Sequence, residues 1–377
     1  MSSIAGNDPA GAAAPVRVML CDDSLAARAA FTRVLEADPA VRVVARAGDG
    51  RAALSAVAAM APEERPEVVL LDLEMPVMDG MTVLPLLLRT EPRPQVIVAS
   101  ALTQRGAAVT MAALRAGASD YVPKPSAAAG GINDPVFRAE LLAKVKGWGR
   151  MRRGRTTGAP AMPAVAAPRP VRAAGRGAAQ VLAIGCSTGG PQALAALVRA
   201  LRPVPPVPVV VVQHMPAGFT AMLADHLGRL GVLPVAEAVD RERLLPGRLY
   251  LAPGDRHLVV ERGAEGLVAR LTEDPPVNFC RPAVDPMLES LVRCCGGGVL
   301  AAILTGMGSD GLAGCRAVAA AGGTVLAQDE ASSVVWGMPG AVARAGLAEA
   351  LLPPEALAER IGQQAWSREA TLAGARA

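Results

Sequence analysis

Short continuous apolar runs alternate with amphipathic stretches along two long parts of the chain. In the first part the apolar runs are VRVMLC, VRVVARA, EVVLLD, QVIVAS and SDYV, at 16–21, 41–47, 67–72, 95–100 and 119–122. Segments with helical spacing of apolar positions lie at about 24–37, 50–60, 80–90, 105–116 and 134–147. Runs that are apolar throughout are typical of strands covered on both faces, so we predict five βα units around a parallel sheet.

The same alternation resumes at 179 and predicts a second, mostly parallel α/β domain, so that the fold class is α/β with two doubly wound domains. Its strand predictions are 181–185, 208–213, 299–305 and 324–328, and its helix predictions are near 191–201, 219–230, 283–295 and 310–321. Three further short runs, at 248–252, 257–261 and 267–271, predict small antiparallel elements.

The segment between the two parts is rich in Pro, Ala, Gly and Arg and lacks apolar periodicity. We therefore predict domains at 16–147 and 179–366, a linker at 148–178 and a tail at 367–377. A solvated tether is the favoured interpretation of the basic linker, ahead of a contact with an acidic partner.

Composition excludes several classes of protein. The net charge is +4 and the basic residues form no long run, so we expect no nucleic-acid binding. The six cysteines show no CxxC spacing, which argues against zinc sites and disulfides. The N-terminus lacks a signal-peptide pattern, and no apolar run reaches the roughly 20 residues of a membrane span. We expect a cytoplasmic protein with no membrane insertion.

Three carboxylates occupy the ends of predicted strands in the first domain. Asp22 and Asp23 follow the first strand, and Asp72 ends the third. The carboxyl ends of parallel strands share one rim, where the three charges would repel each other unless a hard cation lay among them. Mg²⁺ prefers such oxygen ligands, and a carboxylate beside it can attack a phosphoryl group. Ser100 and Lys124, after the fourth and fifth strands, add a hydroxyl donor and a positive charge at the same rim.

The segment IGCSTGGP at 184–191 indicates a strand, a glycine turn and a helix start. Ser187 would stand at the helix N-terminus, where backbone amides stabilise anions. The GxSxG spacing is typical of a nucleophile elbow, but a glycine turn with serine can also hold a phosphate group. No Walker-type lysine follows the turn, which weighs against that alternative.

A base and a carboxylate at other strand ends of the same predicted rim favour hydrolysis. His214 ends the run PVVVVQ, whereas His226 and His257 lie in positions typical of structural histidines. Asp310 follows a strand and a glycine-rich turn. We predict that His214 takes the serine proton and that Asp310 stabilises the imidazolium. The backbone amide of Met307 is the candidate oxyanion donor, and no cofactor is expected for hydrolysis.

The motifs LCDDS, LLDLEMPVMDG, VASA and YVPKP together resemble the response-regulator receiver domain, a flavodoxin-like fold, across 16–147. The resemblance implies that Asp72 is the phosphoacceptor and that Asp22 and Asp23 bind Mg²⁺. It also implies metal ligation by the backbone carbonyl of Glu74. The implied switch hydroxyl, switch aromatic and phosphate-binding lysine are Ser100, Tyr121 and Lys124.

The motifs IGCSTGGP, QHMPAGFT, YLAPGDRHL, RPAVDPMLESL, ILTGMGSDG and WGMPGAV resemble the chemotaxis protein-glutamate methylesterase family over about 180–364. The resemblance implies hydrolysis of glutamyl methyl esters on methyl-accepting chemotaxis receptors, with a chemotaxis histidine kinase as phosphodonor; some members also deamidate glutamines. It implies a catalytic triad in which Thr188 helps to order the site. The chain departs from the family at Cys280, where a histidine is usual before the Arg-Pro pair.

The tandem order motivates a hypothesis of regulation: the unphosphorylated receiver covers the hydrolase cleft, and phosphorylation rearranges Ser100 and Tyr121 and opens it. The alternative is a transcriptional response regulator whose output domain has no chemistry. The basic linker is its only support, and 180–364 lacks the compact three-helix pattern of a DNA-binding module.

Overall fold

The computed structural model describes residues 14–100, 103–124, 131–156 and 178–367. It contains the two α/β units that the sequence predicts, each built on its own parallel sheet. Most of the predicted linker and nearly all of the predicted tail lie outside the described residues. Within the described residues, no helix is long and apolar enough to cross a membrane.

The first unit has five parallel strands in the order β2-β1-β3-β4-β5. The strands are β1 Val16–Cys21, β2 Val41–Ala47, β3 Val68–Asp72, β4 Gln95–Ser100 and β5 Asp120–Pro123. The helices are α1 Leu25–Glu36, α2 Gly50–Ala58, α3 Gly80–Leu87, α4 Gln104–Arg115 and α5 Pro135–Thr156. The order places the ends of β1, β3, β4 and β5 side by side, and the candidate residues Asp22, Asp72, Ser100 and Lys124 lie at or next to these ends.

Four of these helices begin at side chains that accept a hydrogen bond from the backbone amide three residues later. The capping residues are Ser24, Asp49, Asp79 and Thr103. Each such cap satisfies an amide that has no partner within the helix and stabilises the helix start by about 1 kcal/mol. These caps therefore fix where the four helices begin.

The second unit has a seven-stranded sheet in the order β14-β13-β12-β6-β7-β9-β8, all of whose pairings are parallel. The strands are β6 Val181–Cys186, β7 Val209–Gln213, β8 Val235–Glu237, β9 Leu249–Leu251, β12 Val299–Ile303, β13 Thr324–Gln328 and β14 Ala350–Leu352. Its helices are α6 Gly190–Ala200, α7 Phe219–Gly228, α8 Val284–Cys295, α9 Leu312–Ala320, α10 Met338–Arg344 and α11 Pro354–Gly362.

Two of the three predicted antiparallel runs are confirmed and one is wrong. Strands β10 His257–Gly263 and β11 Gly266–Thr272 form an antiparallel hairpin. The run at 248–252 instead contributes β9, which pairs in parallel with β7 and β8. A run this short carries no periodicity that would reveal its direction, and its burial against the large sheet decides the pairing.

The predicted start of the linker at 148 is also too early, because α5 continues to Thr156. The extra turns are anchored by long-range contacts. The Trp148 ring is buried, and the Arg153 guanidinium donates to both carboxylate oxygens of Glu67, at 2.6 and 2.8 Å. Basic residues that resemble a solvated tether in the sequence therefore hold a helix onto the first unit.

Candidate active site

The loop after β6 forms a tight turn that carries Ser187. Gly189 has a φ of +73°, in the left-handed region that glycine adopts without strain, and α6 begins at the next residue. A Cβ on Gly190 would lie only 2.0 Å from the Gln213 Oε1 atom, so the turn needs glycine there for space as well. The predicted nucleophile thus sits between the end of a buried strand and the N-terminus of a helix.

Parallel pairing of β6 with β7 brings His214 beside this turn. Cys186 is opposite Gln213 in the register, and the His214 amide donates to the Cys186 carbonyl at 3.1 Å. The Gln213 side-chain amide donates to the carbonyls of both Ser187 and His214, at 2.9 and 3.2 Å. Gln213, which no sequence motif identified as a site residue, therefore joins the Ser187 loop to the His214 loop.

Asp310 lies after β12, the neighbour of β6 on its other side, and its carboxylate contacts the His214 ring. The distance from His214 Nε2 to Asp310 Oδ2 is 2.8 Å. Asp310 is 2% exposed, and its oxygens also accept four further hydrogen bonds. The donors are the amides of Val284 (2.6 Å), Gly311 (3.0 Å) and Asp285 (3.2 Å) and the Asn278 side chain (3.0 Å). This network fixes both the position and the ionised state of the carboxylate.

The same contacts shift the pKa values of the pair in opposite directions. Burial raises the pKa of Asp310, but the hydrogen bond from His214 and the other donors outweigh it, so the net pKa is lowered. Burial lowers the pKa of His214, but the bonds to Asp310 and Cys280 outweigh it and raise the pKa above its ordinary value. The arrangement therefore stabilises an imidazolium beside a carboxylate, the charge state that a general base reaches during acyl transfer.

The second nitrogen of the His214 ring faces Cys280, with Nδ1 3.4 Å from Sγ. Within the described part of the chain, no hydrogen bond joins the Ser187 hydroxyl to this ring. The structure thus brings His214, Asp310 and Cys280 into direct contact and places Ser187 on the adjoining strand end. The sequence identified Cys280 only as a departure from the family pattern, not as a contact of the imidazole.

The loop that carries Met307 lies against the Ser187 turn. The Ser187 amide donates to the Thr305 carbonyl at 3.0 Å, and the Thr305 hydroxyl donates to the carbonyl of buried Thr188 at 2.9 Å. A Cβ on Gly306 would lie 2.8 Å from the Ser187 Cβ atom, so glycine permits this close approach. Thr188 and Met307 are therefore next to Ser187, and their catalytic roles stay predictions.

Asn278 and Asp285 are site residues that the sequence analysis missed. The Asn278 side chain donates to both Asp310 Oδ1 and Asp285 Oδ2, each at 3.0 Å. Burial raises the pKa of Asp285, and its proximity to Asp310 adds to the rise. The motif RPAVDPMLESL contains Asp285, but nothing in its spacing indicates that it faces the triad.

The first unit carries a separate acidic site. Oxygen atoms of Asp22, Asp23 and Asp72 all lie within 4.8 Å of one another. The Lys124 ammonium is 2.5 Å from Asp72 Oδ2 and 3.2 Å from Asp22 Oδ2. Burial raises the pKa of Asp72 despite this lysine. Three carboxylates on one rim form the oxygen donor set that a hard divalent cation prefers, so the residues fit Mg²⁺.

The other predicted residues of this unit lie around the acidic site. The Glu74 amide donates to Asp72 Oδ1 at 3.2 Å, which places its peptide at the edge of the cluster. The Ser100 hydroxyl donates to the Gly106 carbonyl at 3.1 Å. Tyr121 is buried, and its ring stacks on Phe219 of the second unit with centroids 5.2 Å apart. The predicted switch aromatic therefore lies at the contact between the two units.

Comparisons with known proteins agree with this division of the chain. A family model described as CheB methylesterase matches residues 182–361, and one described as response regulator receiver domain matches residues 18–132. A protein-glutamate methylesterase/protein-glutamine glutaminase of Azospirillum brasilense is 49% identical over 366 residues, covering 92% of this chain and 92% of the relative. The chain belongs to the CheB methylesterase family. The corresponding protein 1 of Paramagnetospirillum magneticum is 46% identical, covering 92% and 95%.

Solved structures match each unit of this CheB-family chain separately. The methylesterase catalytic domain of Thermotoga maritima CheB is 40% identical with a TM-score of 0.48, covering 50% of this chain and 99% of that one. The response regulator domain of the same organism's CheB is 36% identical with a TM-score of 0.30, covering 36% and 96%. Family membership confirms the predicted fold class and enzyme class, and it disfavours a transcriptional output domain.

Proposed function

We propose that this chain hydrolyses glutamyl methyl esters on methyl-accepting chemotaxis receptors, under control of phosphorylation at Asp72. The observation that carries the proposal is the part-buried hydrogen bond of 2.8 Å between His214 and Asp310, beside the Ser187 turn. The names of the curated relatives supply the substrate class. We place the reaction in the cytoplasm, where a chemotaxis histidine kinase has access to ATP.

The proposed chemistry is acyl transfer through a covalent intermediate. The Ser187 oxygen attacks the ester carbonyl while His214 Nδ1, the nitrogen not bonded to Asp310, takes the hydroxyl proton. The carbon–oxygen bond to the methoxy group breaks, and the imidazolium gives its proton to the departing methoxide oxygen, so that methanol leaves. Water activated by the same nitrogen then cleaves the acyl-serine bond, releasing glutamate and restoring Ser187.

Fixed groups around the reacting carbon stabilise the charges that develop in the transition state. We assign the Met307 backbone amide as a donor to the developing oxyanion, together with the positive end of α6. Asp310 stabilises the imidazolium through its bond to Nε2. For the reaction to begin, the Ser187 hydroxyl takes the place of the Cys280 thiol as the partner of Nδ1. The same steps would convert a glutamine side chain, with ammonia as the leaving group in place of methanol.

The receiver site is proposed to accept a phosphoryl group on Asp72. Asp22, Asp23, Asp72 and the Glu74 carbonyl would hold Mg²⁺, which supplies charge neutralisation for the carboxylates and phosphoryl oxygens. The Lys124 ammonium already contacts Asp72 and would bind an added phosphoryl oxygen. Phosphotransfer from the kinase would change the state of the receiver. For that change to alter the rate of hydrolysis, the receiver must contact the catalytic unit.

Contacts between the two units run from the receiver switch region to the nucleophile turn. Besides the Tyr121–Phe219 stack, the Asp120 carboxylate accepts a hydrogen bond from the Gly189 amide at 3.2 Å. Gly189 lies two residues after Ser187, and Asp120 precedes Tyr121. Asp120 is 2% exposed and is also paired with the buried Lys144 ammonium at 3.6 Å. A charged group from the receiver is thus bonded to the backbone of the catalytic turn.

This geometry supports the hypothesis that the resting receiver restrains the catalytic unit. Movement of Tyr121 on phosphorylation would break its stack with Phe219 and displace the adjacent Asp120 carboxylate from Gly189. The interface would then loosen at the point nearest to Ser187. In this hypothesis phosphorylation shifts an equilibrium between a restrained and a released arrangement of the two units.

Methanol release from methylated receptor, measured with and without a small-molecule phosphodonor, tests the proposed function. Receptor ester hydrolysis should rise about 5- to 150-fold with the phosphodonor, the usual range of coupling between two sites. Asp72→Asn should keep the basal rate and lose the stimulation, since an amide cannot accept the phosphoryl group. Asp38→Asn, on the opposite side of the first unit, is the matched control and should be stimulated normally. Equal stimulation of Asp72→Asn and the native protein would contradict the assignment of Asp72.

A further inference from the structure

A strained two-residue turn lies beside the candidate active site. Val277 and Cys280 exchange both backbone hydrogen bonds, at 3.0 and 2.9 Å, which leaves Asn278 and Phe279 at the tip. Their φ angles are +52° and +62°. Positive φ at both central positions is the type I′ geometry, which strongly favours Asn followed by Gly.

Asn278 suits its position, but Phe279 does not. Asparagine tolerates the left-handed region, and the Asn278 amide bonds to two buried carboxylates of the site. A phenylalanine in this region is strained by its Cβ atom. Phe279 is also 91% exposed, so burial of its ring adds almost nothing to the stability of the fold. Neither the backbone nor the packing of this chain explains the aromatic side chain.

The position of the turn suggests what the ring contacts. Phe279 is followed directly by Cys280, whose sulfur is 3.4 Å from the Nδ1 atom of the His214 ring. The ester of a receptor side chain must reach this same nitrogen and the Ser187 oxygen. The polypeptide that carries the ester must therefore lie across the rim on which Phe279 stands. Aromatic side chains, phenylalanine included, are enriched at the cores of protein interfaces relative to the rest of the surface.

We propose that Phe279 is a substrate-docking residue, which packs on an apolar side chain of the receptor segment that flanks the esterified glutamate. This inference rests on the function proposed above and names a determinant of its specificity. Phe279 contributes to binding of the protein substrate and takes no part in the chemical steps. Its strained backbone is the cost of presenting an apolar surface at the edge of an otherwise polar site.

The test is Phe279→Gly, assayed for thermal stability and for hydrolysis of two substrates. Glycine adopts a φ of +62° freely, so the melting temperature should rise by a few degrees. KM for methylated receptor should rise about tenfold, the loss expected of an interface anchor, while kcat stays within about twofold. Hydrolysis of p-nitrophenyl acetate, which carries no polypeptide segment to pack on the ring, should be unchanged. Phe279→Tyr should restore the native KM for receptor.

A matched control is available in the receiver unit. Val77 is also apolar, 76% exposed and held at a φ of +64°. It belongs to the first unit, whereas the Ser187 turn belongs to the second. Val77→Gly, assayed without phosphodonor, should raise the melting temperature and leave KM for receptor unchanged.

The inference is overturned if Phe279→Gly leaves KM for receptor at the native value, or if both substrates lose activity equally. Self-association that Phe279→Gly abolishes would overturn it as well, because the ring would then bind a second copy of the chain. Failure of the native protein to hydrolyse either substrate would refute the proposed function instead.

Discussion

Replacing Ser187 with Ala is expected to lower the rate of ester hydrolysis at least about a thousandfold. The alanine variant lacks the oxygen that forms the acyl-enzyme, and the remaining groups can only polarise the carbonyl and orient water. The measurement is methanol release from methylated receptor, supported by hydrolysis of p-nitrophenyl acetate. The folded structure should persist, because the Ser187 hydroxyl makes no hydrogen bond to the His214 ring in the described part of the chain.

The matched control is Ser309→Ala, which removes a hydroxyl from an exposed serine next to Asp310. This variant should hydrolyse both substrates at the native rate. Retained hydrolysis in Ser187→Ala would refute the nucleophile assignment. If Cys280→Ala then abolished the activity, the thiol that contacts His214 would be the nucleophile instead.

Asp310→Asn is expected to lower kcat/KM by about 10⁴-fold, the loss typical of the same change in other serine triads. All five hydrogen bonds at this carboxylate are donated to it, so an amide would direct its own N–H groups at one of those donors. The imidazole would lose the partner that fixes its tautomer and stabilises its charged form.

The pH dependence of the residual activity gives a second readout of Asp310. A general base works only when neutral, so activity falls as the pH drops through the pKa of His214. The bond to Asp310 raises that pKa, and its loss should move the acid limb of the kcat/KM profile to lower pH. Asp225→Asn, at a surface ion pair with Arg229, serves as the control and should keep the native profile. An unchanged acid limb in Asp310→Asn would show that another group titrates.

The sequence predicts the main strands well because their apolar runs are long and buried on both faces. The predicted bounds of β1, β2, β4 and β13 coincide with those in the structure. Since parallel strands end on one rim, the same runs also place Ser187, His214 and Asp310 near one another. Their catalytic roles stay predictions, although the contact between His214 and Asp310 supports them.

Elements that depend on distant contacts were not predictable. Strands β8 and β14 have three residues each, which is too short to show periodicity. The last turns of α5 persist because Arg153 bonds to Glu67, which lies 86 residues earlier in the chain. The roles of Asn278 and Cys280 depend on a loop that folds across the rim, and no strand end marks its position.

The most direct test of the catalytic assignment is the site of the covalent intermediate. The protein is mixed with p-nitrophenyl acetate, quenched with acid during the first turnover, digested and analysed by mass spectrometry. The proposed mechanism predicts an acetyl group on Ser187. An acetyl group on Cys280, with Ser187 unmodified, would contradict it.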